Sequence, residues 1–322
     1  MLKTVQFALT VWLVLTLNFL LPRLMPGNPL ADLDNPLGAP VPLSQEARAR
    51  IMAYYGLDQP LPIQYQNYLR GLARGDLGWS IYYKAPVGHV LVGRLRWTLG
   101  LVGVATVLYV GLGVVLGAVS AWQRGSALDQ GLLLTTFATG AFPAFFLAML
   151  LIVLFAVKLK WLPLGGAQSV ALLLAPWPQR TVDIARHMVL PVLALLLTSL
   201  ADVYYLTRNS LGQVLGEGYI TVARAKGLRE RTLLFRHALP NALLPVVTLA
   251  SLRLGTIVMG AMLVEVTFAY PGIGQAIYEA SIARDYPLLQ GAFLVTMLSI
   301  MAANLLADGL YGLLDPRVRR AP

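Results

Sequence analysis

The stretch WTLGLVGVATVLYVGLGVVLGAVSAWQ, residues 97–123, holds no charged side chain. It is longer than the roughly 18 apolar residues a helix needs to cross the hydrocarbon core of a bilayer. Three more runs are free of charge: Thr4–Pro22, Gln130–Val157 and Tyr286–Ala307. Two others, Val189–Thr207 and Leu239–Val264, carry one charge each, Asp202 and Arg253. The pattern predicts an all-α integral membrane protein with six transmembrane helices. Composition agrees, since 57% of the 322 residues are hydrophobic and 12% charged, about half the roughly 25% charged content of soluble domains. A soluble core of this length cannot hide six such helices. With no cysteine in the chain, disulfides, thiol catalysis and Cys-based metal sites are excluded.

The N-terminus has the outline of a secretory signal, with Lys3 before an apolar run. No small-x-small cleavage site follows, and Leu21-Pro22-Arg23 is a poor substitute, so an uncleaved first helix is expected. Placing the N-terminus inside puts Lys3, Arg124, Arg208, Arg224, Lys226, Arg229, Arg231, Arg236, Arg317, Arg319 and Arg320 in short inner segments. That density predicts N-in and C-in. It also accounts for the net charge of +10 without a nucleic-acid partner, for which no basic-aromatic groove or motif is visible. The expected divisions are a first helix at 1–22, an outer segment at 23–96, a five-helix core at 97–311 and an inner tail at 312–322.

Within the outer segment, Arg23-Leu-Met-Pro-Gly-Asn-Pro29 is expected to break the first helix. Ser44–Arg50 carries a capping signal and predicts a short helix. Ile63–Leu72 predicts another, with Tyr65, Tyr68 and Leu69 on one stripe. Arg74-Gly-Asp-Leu-Gly-Trp-Ser80 turns the chain back. In the core, Gly113 and Gly117 form a Gly-x-x-x-Gly pair expected to bring helices together. Pro143, Pro191 and Pro245 fall within spans and are expected to kink them.

The polar, basic segment 208–240 lies between two apolar runs and contains Thr-Val-Ala-Arg-Ala-Lys-Gly227 and, nine residues on, His-Ala-Leu-Pro240. Glu217 and Lys226 sit near the two ends of a short helix with the signs its dipole favours. Gly227 is placed to end that helix in the left-handed conformation, with Leu228 as the hydrophobic follower. The spacing resembles the E-A-A loop of ATP-binding-cassette (ABC) importer permeases: Ala223, Gly227, Leu239 and Pro240 fall on its pattern, Thr221 and Val222 replace its leading Glu-Ala, and His237 stands where Ile is usual. Leu57-Asp-Gln-Pro-Leu-Pro-Ile-Gln-Tyr65, Gly75-Asp-Leu-Gly78, Trp161-Leu-Pro163, Val189-Leu-Pro191, Leu206-Thr-Arg208, Ala223-Arg-Ala-Lys-Gly-Leu228, Tyr270-Pro-Gly-Ile-Gly274, Ala283-Arg-Asp-Tyr-Pro-Leu-Leu-Gln-Gly291 and Leu314-Asp-Pro-Arg317 are similar, in order, to the first permease subunit of the dipeptide/oligopeptide/nickel branch. Asn28, Pro240, Asp202 and Arg253 depart from that branch.

The resemblance implies a type I ABC importer permease in the inner or plasma membrane of a prokaryote. It forms half of a translocation pathway for di- or oligopeptides, with nickel or oligosaccharides as the alternative cargo. It implies four kinds of contact besides lipid: a homologous second permease, two ATPase subunits, a solute-binding protein and the transported solute. Glu217, Tyr219, Ala223, Arg224, Ala225, Lys226, Gly227, Leu239 and Pro240 are then the ATPase-coupling residues. Tyr270, Pro271, Gly272 and Gly274 are then the outer loop that meets the binding protein. Asp202 and Arg253 are candidate pore or substrate residues, because a charge at mid-bilayer costs at least about 2.5 kcal/mol and is placed against a partner or a wet cavity. No catalytic residue is expected. No Gly-Lys phosphate loop is present, so ATP and Mg belong to partner chains and this chain binds no cofactor. The histidines His89, His187 and His237 lack zinc-protease spacing, and no metal is expected. A self-contained secondary transporter is the rival class, but it calls for an inverted repeat and midplane carboxylates, and Asp202 is the one such candidate.

Overall fold

The computed structural model describes residues 2–24 and 58–314, with isolated positions at 46, 52, 53 and 56. The first helix runs to Leu24, through the first two residues of the break expected at Arg23–Pro29; the rest of that break, all of the helix expected at Ser44–Arg50 except Glu46, and the end of the tail lie outside the described residues. The protein is mostly helical and divides into two units, Met1–Arg96 with Gln275–Leu298, and Trp97–Gly274 with Ser299–Pro322.

In the first unit, α1 (Leu2–Leu24) packs on the short helix α2 (Leu61–Ala73), which begins after Pro60 with Pro62 in its first turn, where a missing N–H costs nothing. The predicted tyrosine stripe is the packing face: Phe19 meets Tyr65 edge-on at 5.1 Å and Tyr68 at 5.6 Å. Asn18 donates to the Tyr68 hydroxyl (3.1 Å) and to the Gln290 carbonyl (2.9 Å). Gly75 and Gly78, at φ +74° and +83°, turn the chain into a hairpin of two short strands, β1 (Trp79–Ser80) and β2 (Ala85–Pro86), in which Ser80 pairs with Ala85. The buried carboxylate of Asp285 accepts from the Ser80 hydroxyl (2.5 Å) and the Tyr82 N–H (2.9 Å). It also accepts from the Leu288 N–H (3.1 Å), which is the N-cap bond for the helix that starts at Tyr286.

Helix α3 (Val87–Trp122) begins in the first unit and, from Trp97, carries in the second the run that opened the sequence. It is followed by α4 (Ala127–Gly140), α5 (Ala144–Leu151, prolonged by a π-helical turn to Lys158) and α6 (Trp177–Leu215). Next come α7 (Gly218–Ala225), α8 (Glu230–Ala242) and α9 (Leu244–Thr267), then α10 (Ile273–Ile282) and α11 (Tyr286–Leu314), whose residues Gln275–Leu298 belong to the first unit. Leu101, Ala105, Ala148, Leu190, Ala194, Val264 and Phe268 form a core in which small alanines let α3, α5, α6 and α9 approach. Gly113 and Gly117 do the same more tightly. A Cβ at Gly117 would lie 2.7 Å from both Thr207 Cβ and the Tyr204 carbonyl oxygen of α6.

The run Gln130–Val157, continuous in the sequence as one span, is two helices. Proline at 143 cannot donate to Thr139, and the chain bends by 98° between α4 and α5. The run Leu239–Val264 is likewise two helices, α8 and α9, with a bend of 47° between them, so Pro240 belongs to α8 and Pro245 to the first turn of α9. Helix α6 continues through Pro191. Among the described residues α3 and α6 are each long and apolar enough to cross a membrane, and the bent pairs raise that number to four; Leu9–Leu24 and Tyr286–Ala302 are apolar but shorter.

Candidate functional site

Helix α7 is bounded as the sequence suggests. Glu217 is its N-cap, with its carbonyl accepting from Ile220 (3.1 Å) and Thr221 (3.3 Å). At the other end Gly227 takes φ +76°. Its N–H bonds to the Arg224 carbonyl (3.0 Å), and the Leu228 N–H bonds to that of Ala223 (3.4 Å), the Schellman pair of a helix stop. Ile220 is the anchor. It is fully buried among Ala121 of α3, Leu211 of α6 and Leu233, Ala238 and Ala242 of α8, with Ala223 and Leu239 half-buried against the same cluster. Tyr219, Val222, Arg224, Ala225, Lys226 and Pro240 are exposed. The Tyr219 hydroxyl accepts from Asn241 (3.1 Å). Arg224 meets Glu230 at 3.1 Å, a surface pair that contributes little. The helix is thus fastened by one face and offers an apolar-basic face outward.

Next to this anchor lies a buried polar node. Arg208 of α6 grips Asp129 of α4 with both arms of its fork, Nε to Oδ1 at 2.7 Å and Nη2 to Oδ2 at 2.8 Å. Ser120 of α3 bonds to the same carboxylate and to the Tyr204 hydroxyl (2.7 Å), and the Gly125 N–H donates to Oδ2 at 2.9 Å. Ser126 caps α4 by accepting from the Asp129 N–H (3.2 Å). Arg208 is legible in the sequence as part of a motif; Asp129 and Ser120 are not, because nothing local marks them as its partners.

A second node explains the Tyr270–Gly274 segment. Tyr270, Gly272 and Gly274 are buried and Pro271 half-buried. The fully buried Glu265 carboxylate accepts from the Thr98 hydroxyl (2.7 Å) and from the Gly274 N–H (2.7 Å), while Thr98 accepts from the Ile273 N–H (2.8 Å). The carboxylate of α9 and the hydroxyl of α3 therefore cap the start of α10, where negative charge is favoured. A Cβ on Gly272 would fall 2.2 Å from that carboxylate, so glycine makes the room. Burial and the Glu265 charge together push the Tyr270 phenol up to about 12.

Asp202 is exposed on α6, on one stripe with Asn209 and Gln213, which are also exposed. Arg253 lies on α9, which packs directly on α6, but its side chain is outside the described residues. His187 is buried, with Nδ1 2.8 Å from the Asp183 carbonyl. Among the described residues no three His, Asp or Glu side chains converge as a metal site.

Residues 113–320 match the family described as binding-protein-dependent transport system inner membrane component. The dipeptide transport system permease protein DppB of Escherichia coli K12 is 37% identical, over 94% of this chain and 93% of its own. The oligopeptide transport system permease protein AppB of Bacillus subtilis is 33% identical, with coverage of 94% and 93%. Among solved structures, the MetNI methionine ABC transporter in an inward-facing conformation shares the fold, with a TM-score of 0.57 at 17% identity over 70% of this chain and 96% of that one. On the family match and these identities, the chain belongs to the inner-membrane components of binding-protein-dependent transport systems.

Proposed function

We propose that this chain is one permease subunit of an ATP-driven importer of di- or oligopeptides, multi-pass in a prokaryotic inner membrane with six spans, N-in and C-in. The observation that carries the reading is α7, a short helix tied to the bundle through Ile220 and presenting Val222, Arg224 and Lys226 outward. The relatives named as peptide permeases support the cargo. In this reading α7 docks into an ATPase subunit that binds ATP and Mg, and a second permease completes the pathway. A binding protein delivers the solute near Tyr270–Gly274, and Asp202 and Arg253 face the pathway. The chain itself catalyses no reaction. The complex with its ATPases should copurify and take up peptides from a panel that includes sugars and Ni²⁺. Gly227→Val imposes a strained φ worth roughly 1 kcal/mol or more and should depress uptake without preventing insertion. Absence of ATP-driven uptake across the panel, or normal uptake by Gly227→Val, would count against it.

Topology has its own test. The chain lacks cysteine, so single cysteines report cleanly. Ser80 is buried against Asp285, but Tyr82 is 54% exposed. Tyr82→Cys should react with an impermeant thiol reagent in intact cells, and Arg231→Cys only after permeabilisation. The reverse pattern overturns the orientation.

A further inference from the structure

We infer that the Asp129–Arg208 pair is a positioning element, the strut through which movement of α7 reaches the bent pair α4–α5. This rests on the reading of α7 as the ATPase-docking helix. Stability alone does not require the pair, since a buried ion pair loses about as much in desolvation as it gains in attraction, and apolar residues of similar size commonly serve as well. What the pair supplies is direction. Arg208 is fixed in a two-pronged geometry that a hydrophobic contact cannot impose, and its other neighbours keep the carboxylate from turning: Ser120, and the Gly125 N–H at 2.9 Å.

The path through the chain is short. Arg208 stands one turn before Leu211, and Leu211 packs against the buried Ile220 of α7. The end of α6 and α7 therefore move together. On the other side, Asp129 occupies the first turn of α4. At the far end of α4, Gly140 lies against Ala201 of α6, where a Cβ would come within 2.8 Å of the Ala201 Cβ. That glycine-on-alanine contact has no polar group to fix its angle, so it acts as a pivot. The ion pair at the opposite end decides how α4 follows α6, and α4 leads through Pro143 into α5. Helix α3 is clamped to α6 by Gly113 and Gly117, so Ser120 supplies the fixed side of the node.

The test uses the whole reconstituted complex, and its readout is solute imported per ATP hydrolysed. In Asp129→Leu/Arg208→Met the charges are replaced together, so the complex is expected to assemble and to keep its binding-protein-stimulated ATPase. Import per ATP should fall about tenfold, within the usual range of coupling between sites. Arg208→Lys, which keeps the charge but loses the fork, should fall in between. A purely structural pair would instead lower the amount of complex and both rates in proportion, and that result overturns the inference. So does a wild-type ratio in Arg208→Lys, which decides the matter if the double variant fails to assemble. A wild-type complex without any ATP-driven import removes the functional reading itself and the strut with it, a failure distinct from normal coupling in the variants.

Discussion

Glu265→Ala should destabilise the protein by about 3 kcal/mol or more, because it leaves the Gly274 N–H and the Thr98 hydroxyl buried without their acceptor and opens a cavity beside them. Glu265→Gln should be far milder. Its amide oxygen can accept from Gly274, and its NH₂ can donate to Thr98. The glycines make the prediction specific. Gly272→Ala alone drives a Cβ into the carboxylate, 2.2 Å away, whereas Gly274→Ala also strikes the Met262 backbone at 2.4 Å. In the Glu265→Ala background the first collision disappears and the second does not. Gly272→Ala should therefore cost little on top of Glu265→Ala, and Gly274→Ala should still cost about 1–3 kcal/mol. Thermal melting of detergent-purified variants reads all of these. Simple additivity of Glu265→Ala and Gly272→Ala would rule the packing account out.

Gly117→Leu should prevent α3 from seating on α6, and even Gly117→Ala should lower stability by about 1–3 kcal/mol. The obstacle is partly backbone, the Tyr204 carbonyl at 2.7 Å, which cannot rotate away as a side chain can. At Gly111, on the same helix, a Cβ would meet nothing within 4 Å, so Gly111→Ala is the matched control and should melt as the wild type does. If Gly117→Ala and Gly111→Ala melt alike, the close approach of the two helices does not exist in the protein.

What the sequence makes legible is written locally. Charge-free runs mark where apolar helix is, Tyr65 and Tyr68 mark a packing stripe, and Gly227 marks a helix stop, because each depends on residues within a turn or two. Legibility ends where the deciding contact is distant. Glu265 looks like one acid at the end of an apolar run until Thr98, 167 residues away, is brought to it. Asp129 and Arg208 are 79 residues apart. The Tyr270–Gly274 segment has the composition of an outer contact loop, yet Tyr270 and both glycines are buried, because glycine serves a close approach as readily as an exposed turn. Nor does composition reveal that Gln130–Val157 turns through 98°: a run free of charge is apolar along its length whether it is straight or bent, and Pro143 alone does not set an angle.

Helix α6 runs unbroken from Trp177 to Leu215, roughly 58 Å at the usual rise per residue, nearly twice the roughly 30 Å thickness of the hydrocarbon core. Such a rod is a lever arm. Tilted by about 10° about its midpoint, it swings each end by about 5 Å, with no hinge loop along its length to absorb the displacement. Its C-terminal end carries the short helix anchored by Ile220. Its N-terminal end is tied through Asp183 to Ser169 at 2.6 Å and 2.8 Å. If it tilts as a rigid rod, with Pro191 as its one internal break in the backbone hydrogen bonding, a push of a few ångströms at one end would reach the other in the opposite sense.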